Sequence, residues 1–443
     1  MPNKNTKKQA LFKNRSFLWM LSGSFLSMLG DQFTLIALPW LVLKMSNDSF
    51  TLGLVLALIG LPRAVFMLIG GAVVDRFSPK TVMMITKYIN TVLLGGLALI
   101  LYTDHLDIWM VYAIAFVLGV STAFSIPSGT SMLPRVLAPE FLQAGNGIML
   151  SLRQLTFFLG PVLAGVLIAF FGTESQLNSA TSTLQTGNHI ADAKGLAAAF
   201  FFDCLSYAIS AWTLAKVQMR PIANQENGSH SSSSTSSIWG DIVQGLRHSW
   251  NDTMLRTCFM YWAAVAFFIM GPIQVAMPLL AEHVSNSASV FGMLAGAHGA
   301  GTLIGMVLSA VRPNMRVGNN LGSTILFIDF CVACLFMPMG FIHLAWQAAI
   351  LLLLIGVLSG YLHVAVYTWI QGQVPPAMLG RTMSIFMFIF MGIGPVSAAI
   401  TGWLMQSISI QQVFIGSAGL MIVLVTIALF MSPMRRMQDA LRS

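Results

Sequence analysis

Asp31 is the residue that most needs a chemical reason. It lies about midway along an apolar stretch near 17–43, where an ionised carboxylate costs several kcal/mol unless it faces water or a partner. Ser24, Ser27, Asp31 and Thr34 follow at intervals of three, four and three. That spacing puts a polar stripe on one helical face, which is expected to line an aqueous cavity. A carboxylate there can load a proton from one side of a membrane and release it on the other, or hold a cationic substrate. The other reading is a structural carboxylate hydrogen-bonded to a neighbouring helix. Arg63, after Pro62 in the next apolar stretch, can pair with Asp31 or meet a substrate anion, and Arg153 is a second cavity candidate. Both can instead snorkel towards a membrane face.

A second constellation is the turn Gly71-Ala-Val-Val-Asp75-Arg76-Phe-Ser-Pro-Lys80. In a chain with 9% charged residues, three charges between positions 75 and 80 mark it out. It reads either as a juxtamembrane turn whose cations hold one side of a bilayer, or as a helix-end latch. In the latch, Asp75 faces a helix N-terminus while Arg76 and Lys80 meet carbonyls or carboxylates.

The elements that must position these groups are membrane helices. The 443 residues are 56% hydrophobic, with mean hydropathy +0.77, which excludes a soluble globule. Apolar spans run near 17–43, 51–74, 81–102, 108–133, 141–171, 196–216, 255–281, 289–311, 321–342, 345–370, 379–406 and 411–431. Each reaches the ~20 residues a membrane helix needs. Strand-length alternation is absent, so the expected fold is all-α with twelve transmembrane helices and no barrel. The first span follows a basic leader but is long and carries Asp31, so it reads as a retained helix rather than a signal sequence.

The net charge of +8 is a topology signal. Lys4, Lys7, Lys8, Lys13, Arg15, Arg76, Lys80, Arg135, Lys216, Arg220, Arg247, Arg256, Arg312, Arg316, Arg381, Arg435, Arg436 and Arg442 all fall on one side of the predicted spans. The opposite side holds Lys44 and Lys194. By the positive-inside rule both termini are expected in the cytoplasm, and no nucleic-acid partner is implied. Asp203, near the outer end of span six, is expected to reach interfacial water. Asp329, well inside span nine, is the second-half candidate for proton or cation handling, against a buried hydrogen bond. His298, Gln274, His363 and Tyr367 can add polarity there. Cys204, Cys258, Cys331 and Cys334 fall in or at the ends of spans, with no disulfide framework and no metal-ligand spacing.

Residues 221–237, rich in Ser with Asn, Gly and Pro, read as a flexible linker. They divide the chain into a six-helix lobe (1–216), a cytoplasmic linker with a short interfacial helix (217–254) and a second six-helix lobe (255–443). Residues 173–195 are expected to form a long outer loop without regular structure. Pro139-Glu-Phe-Leu142 with Gly160-Pro161-Val162 in span five is echoed by Pro376-Ala-Met-Leu379 with Gly394-Pro395-Val396 in span eleven. A parallel repeat of six helices accounts for that echo. Gly160, Pro161 and Gly165 suit a kinked, closely packed helix.

With these features the chain resembles the major facilitator superfamily, on the strength of the Gly-x-x-x-Asp-Arg-x-x-x-Lys turn and of Gly160-Pro161-x-x-x-Gly165. Gly30-Asp31, Ala37-Leu38-Pro39, Ile126-Pro127, Leu133-Pro134 and Asn146 resemble its drug and siderophore exporter branch, which includes macrolide efflux and enterobactin export proteins. The resemblance implies that Asp75 meets the start of span eleven while Arg76 engages span four, tying the lobes on the cytoplasmic side. The turn after span eight, Arg312-Pro-Asn-Met-Arg316, lacks the Asp-Arg pair. The implied function is secondary export of an amphipathic small molecule, a drug or siderophore, by proton antiport from the bacterial cytoplasmic (inner) membrane, as a monomer. Its partners would be the lipid bilayer, the substrate and protons, with no cofactor and no metal. A lysophospholipid or metabolite facilitator of the same fold is the alternative. A membrane enzyme or sensor would need clustered catalytic groups at one depth, and no Walker phosphate loop supports ATP hydrolysis.

Overall fold

The computed structural model describes residues 11, 13–179, 192–219, 247, 250–312, 315–374 and 376–437. Among them are twelve helices long and apolar enough to cross a membrane. They are α1 (Arg15–Ser46), α2 (Ser49–Arg76), α3 (Pro79–Tyr102), α4 (Ile108–Val136), α5 (Pro139–Ser179), α6 (Ala193–Lys216), α7 (Thr253–Ser285), α8 (Ala288–Val311), α9 (Leu321–Phe336), α10 (Ala345–Gln373), α11 (Pro376–Leu404) and α12 (Ile410–Met431). The protein is a multi-pass membrane protein, all-helical as its composition requires. α5 runs on to Ser179, so the first residues of the expected outer loop are helical. The rest of that loop, and nearly all of the linker and its interfacial helix, lie outside the described residues.

Helix starts follow local capping chemistry. Asn14 accepts from Phe17 N ahead of α1 (3.1 Å), Asp252 from Met254 N and Leu255 N ahead of α7 (2.8 and 3.0 Å), and Asn320 from Gly322 N ahead of α9 (2.9 Å). Ser409 and Gln412 form a reciprocal capping box on α12. Between α1 and α2 the chain reverses through Asn47 in the left-handed region (φ 48°), and Asp48 then accepts from Phe50 N, Thr51 N and Thr51 Oγ1. α7 is interrupted by a π-helical segment at Pro272–Ala276, where Pro272 leaves the α-helical ladder one donor short.

The chain forms two compact units, one of residues 1–47 and 61–233 and the other of residues 48–60 and 234–443. In the first, α1 packs on α5 and α6, and α3 packs on α4 and α6. In the second, α8 packs closely on α10, α7 on α11, and α9 on α10 and α12. The α8–α10 contact is backbone against backbone. A Cβ at Gly301 or Gly305 would meet Leu353 O or Val357 O at 2.0 Å, so only glycine allows this approach.

Candidate functional site: a charged cluster inside the first unit

Three helices of the first unit bring polar groups to one level. α1 supplies Ser27, Asp31 and Thr34, α3 supplies Lys87 and Asn90, and α6 supplies Asp203, Ser206 and Tyr207. On α1 and α3 the spacing is three or four residues, and on α6 Ser206 and Tyr207 stand three and four residues after Asp203, so each set faces one side of its helix. Gly30 makes the meeting possible, because a Cβ there would lie 2.1 Å from Ser206 Oγ and 2.3 Å from Asp203 Oδ1. Seven residues earlier, Gly23 does the same for Thr213, and Ser210 Oγ donates to Gly23 O at 2.7 Å.

The Tyr207 hydroxyl donates to Asp31 Oδ1 at 2.5 Å, and Asn90 lies beside the same hydroxyl. Thr34 donates to Asp203 Oδ2, and Ser206 donates to Asp203 Oδ1 at 3.1 Å. The Lys87 ammonium donates to Ser27 Oγ at 3.3 Å, lies 5.5 Å from the Tyr207 ring centroid and acts through space on both carboxylates. Two carboxylates against one ammonium leave a formal charge of −1 when all three are ionised. One proton or one monovalent cation neutralises the group, and a low-dielectric setting favours that neutral state.

The three charges differ in exposure. Lys87 (3%) and Asp203 (1%) are buried, whereas Asp31 is packed against α6 on one side and exposed on the other. The polar stripe of α1 is therefore mostly an internal seam. Ser24 and Ser27 are buried, Thr34 is committed to Asp203, and Asp31 alone opens outward. Asp203 does not reach interfacial water: the absent side chain of Gly30 draws α6 in and encloses it. Lys87 and Tyr207 are functional candidates that the sequence reading passed over. A lone lysine six residues past the start of the apolar span near 81–102, followed three residues later by Asn90, carries the same signal as Asp31.

The other expected residues are distributed as follows. Arg63 is half-buried, and its Nε is buried without a partner; the cation beside Asp31 is Lys87. Arg153 is exposed and stacks over Phe157 on its own helix at 5.7 Å. Asp329 is 3% exposed and accepts from Tyr261 Oη at 2.7 Å, a buried hydrogen bond between α9 and α7. Gly160 admits Gln32, since a Cβ there would lie 2.4 Å from Gln32 Cβ, while Pro161 and Gly165 are buried within α5. Gly394 lies beside Gln274 of the π-helical segment, and Pro395 fills the space left by Gly60.

In the charged turn, Lys80 Nζ donates to Ala215 O (3.0 Å) and Val217 O (2.7 Å), closing the C-terminus of α6 within its own unit. Arg76 is exposed. Gly71 is part of α2, and the side chains of Asp75 and Arg381 lie outside the described residues. After α8, Arg316 Nη1 donates to Tyr361 Oη of α10 at 2.7 Å, and that hydroxyl donates to Met315 O. Among the described residues no cluster of three metal-ligating side chains occurs.

Known proteins align with the chain over most of its length. The multidrug efflux pump Tap of Mycobacterium tuberculosis (strain ATCC 25618 / H37Rv) is 21% identical over 407 residues, covering 90% of this chain and 89% of the relative. Macrolide efflux protein A of Streptococcus pyogenes is 21% identical, covering 95% and 97%. Among solved structures, the nucleoside transporter NupG superposes with a TM-score of 0.68 at 13% identity, covering 94% of this chain and 98% of that one. A bacterial homolog of the human lysosomal transporter Spinster gives 0.66 at 14% identity, covering 98% and 97%. The structural likenesses speak to the fold alone. The family model for the Major Facilitator Superfamily matches residues 20–396, and with twelve membrane-length helices arranged as in these transporters, the chain belongs to that superfamily.

Proposed function

We propose that the protein is a secondary active exporter of an amphipathic small molecule, a drug or siderophore, that exchanges substrate for protons by alternating access. The observation that carries this reading is the exposed mid-helix carboxylate of Asp31, held by Tyr207 and backed by buried Lys87 and Asp203. The export direction is supported by relatives named as a multidrug efflux pump and a macrolide efflux protein. One charge moving through 100 mV supplies about 2.3 kcal/mol, enough for a gradient of about 50-fold.

The lysine and arginine bias supports both termini in the cytoplasm, and the bacterial efflux relatives support a place in the bacterial cytoplasmic (inner) membrane. The segments 1–216 and 255–443 serve as the two lobes of the cycle, and the turn from Gly71 to Lys80 latches them through Asp75 and Arg76. Arg63 and Arg153 line the substrate path. Gly160-Pro161-Gly165 and Gly394-Pro395 provide its helix kinks.

The test has two steps. Accumulation by a deletion strain is compared across drugs and iron-chelating metabolites, and the compound retained is followed in proteoliposomes together with internal pH. Asp31→Asn is expected to abolish substrate-dependent proton movement. Unchanged movement overturns the coupling role, and substrate flux without proton movement in the unsubstituted protein favours a facilitator.

A further inference from the structure

In the second unit, rings from α7, α10 and α11 meet around Phe390. Its centroid lies 6.2 Å from that of Trp262, 5.8 Å from His363 and 5.9 Å from Phe386. Tyr367, one turn beyond His363 on α10, extends the row, the two rings 6.3 Å apart and within 19° of parallel. Among the described residues α11 packs on α7, but its backbone scarcely approaches α10. The rings therefore reach across the space between these helices, where glycines close α8 on α10. Two details set the cluster apart from ordinary packing. Trp262 is 7% exposed, and its Nε1 donor is buried without a partner. A phenylalanine would fill that place without stranding a donor, so the indole calls for an acceptor from outside the chain. His363, Tyr367 and Phe390 are half-buried. Trp262 stands ten residues after the Asp252 cap of α7, and His363 ten before the end of α10, each about 15 Å along its helix. A polar ring at that depth faces the bundle interior or an aqueous cavity rather than lipid.

We propose that Trp262, His363, Tyr367 and Phe390 form a subsite for a planar aromatic ring that carries a hydrogen-bond acceptor, such as a ring nitrogen or a carbonyl. Phe390 and the two α10 rings supply offset and edge contacts to the ring, and the Trp262 indole donates to its acceptor. One donor among several apolar faces fixes the ring's orientation while leaving the rest of the molecule free to vary. The subsite lies towards the start of α7 and the end of α10, the side that also carries Arg256 and Arg316. That is the side from which an exporter takes up its cargo. That the ring belongs to the cargo rests on the export reading; its binding does not.

Acridine and anthracene share one fused-ring outline, but only acridine has a nitrogen that accepts a hydrogen bond, so the pair serves as probes. The full chain, isotope-labelled at its tryptophan indoles, is placed in lipid nanodiscs at alkaline pH, where acridine is uncharged. The Trp262 indole N–H signal is identified by its absence from Trp262→Phe. Acridine should move this signal downfield and saturate, whereas anthracene should not move it downfield. Trp109 and Trp403, 62% and 60% exposed, report partition into lipid and should respond to both probes alike. Phe390→Leu, which keeps an apolar side chain in place, should weaken acridine binding by about two- to tenfold, the loss of one aromatic contact. Equal downfield shifts with the two probes, or a Trp262 signal that follows Trp403 without saturating, overturn the subsite. So does undiminished acridine binding in both Phe390→Leu and Tyr367→Leu. If acridine binds as stated but the unsubstituted protein moves no compound in proteoliposomes, the export reading falls and the subsite stands. If export is found and acridine leaves the Trp262 signal unmoved, the subsite falls alone.

Discussion

The Tyr207 hydroxyl lies 2.5 Å from Asp31 Oδ1, joining α6 to α1 through the carboxylate that opens outward from the first unit. A hydrogen bond to an ionised acceptor is worth about 1.5–3 kcal/mol. It fixes where the carboxylate points without enclosing it. Tyr207→Phe removes this donor and keeps the ring under Lys87. The expected result is a lower melting temperature in detergent, corresponding to about 1–3 kcal/mol, and weaker substrate-dependent proton movement. An unchanged melting temperature would show that the bond is not made in the folded protein.

Gly30→Ala should be among the most damaging single methyl additions in the first unit. The new Cβ would meet Ser206 Oγ at 2.1 Å and Asp203 Oδ1 at 2.3 Å, an overpacking cost of about 1–3 kcal/mol. Adding Ser206→Ala should recover part of the loss by clearing the nearer atom. Thermal unfolding of the single and double variants measures both effects.

Asp48 carries the one pH-dependent contribution assigned outside the spans. Burial pushes its carboxyl up, but hydrogen bonds from Thr51, Phe50 and Gln406 outweigh this and hold it below its ordinary value of 3.8. A depressed folded value stabilises the start of α2 above the unfolded value, and the contribution is lost as pH falls through the lower folded one. Asp48→Asn keeps the cap and should flatten this dependence. Asp48→Ala should cost about 1 kcal/mol at neutral pH. Amide hydrogen exchange at Phe50 and Thr51, read between roughly pH 3 and 6 against the Asn variant, distinguishes the two.

Asp329 and Tyr261 form a buried bond, and the prediction for them is structural. Asp329→Leu strands the Tyr261 hydroxyl and should destabilise the second unit by about 1–3 kcal/mol. Asp329→Asn, which still accepts, should fold normally and leave substrate-dependent proton movement unchanged. Loss of that movement in a well-folded Asn variant would restore Asp329 to the transport pathway.

Lys80→Met removes two donors from the end of α6 and should cost about 1–2 kcal/mol without altering cytoplasmic accessibility in a folded protein. Asp75→Asn should instead raise the reactivity of single cysteines on the cytoplasmic cavity. Equal behaviour of the two variants would mean that the charged turn has no latching role distinct from its anchoring of α6.

The residues Lys87 and Asp329 show how far sequence carried and where it stopped. Each stands eight residues after the first residue of the third helix of its half, at a depth where any charge needs a reason. Asp329 was recognised as such, but whether it faced a cavity or a hydrogen bond depended on Tyr261, 68 residues away. Lys87 is not legible in the same way, because the cations of the chain read as topology markers and a lysine inside a span does not mark a side. The distance of Asp203 from a helix end predicts water, while its enclosure is set by Gly30 on another helix.

By itself the sequence determined the twelve helices, their capped beginnings and the family, because those depend on apolar length, on neighbours within a few residues and on contiguous motifs. It also determined that Asp31 needed a partner. The tertiary structure alone decided which partner: Tyr207 lies 176 residues further along the chain, and Arg63, close in sequence, does not take that place. Helix faces can be read from a period of 3.6 residues, but which faces meet is decided by how closely backbones approach, and here two glycines on α1 set that distance.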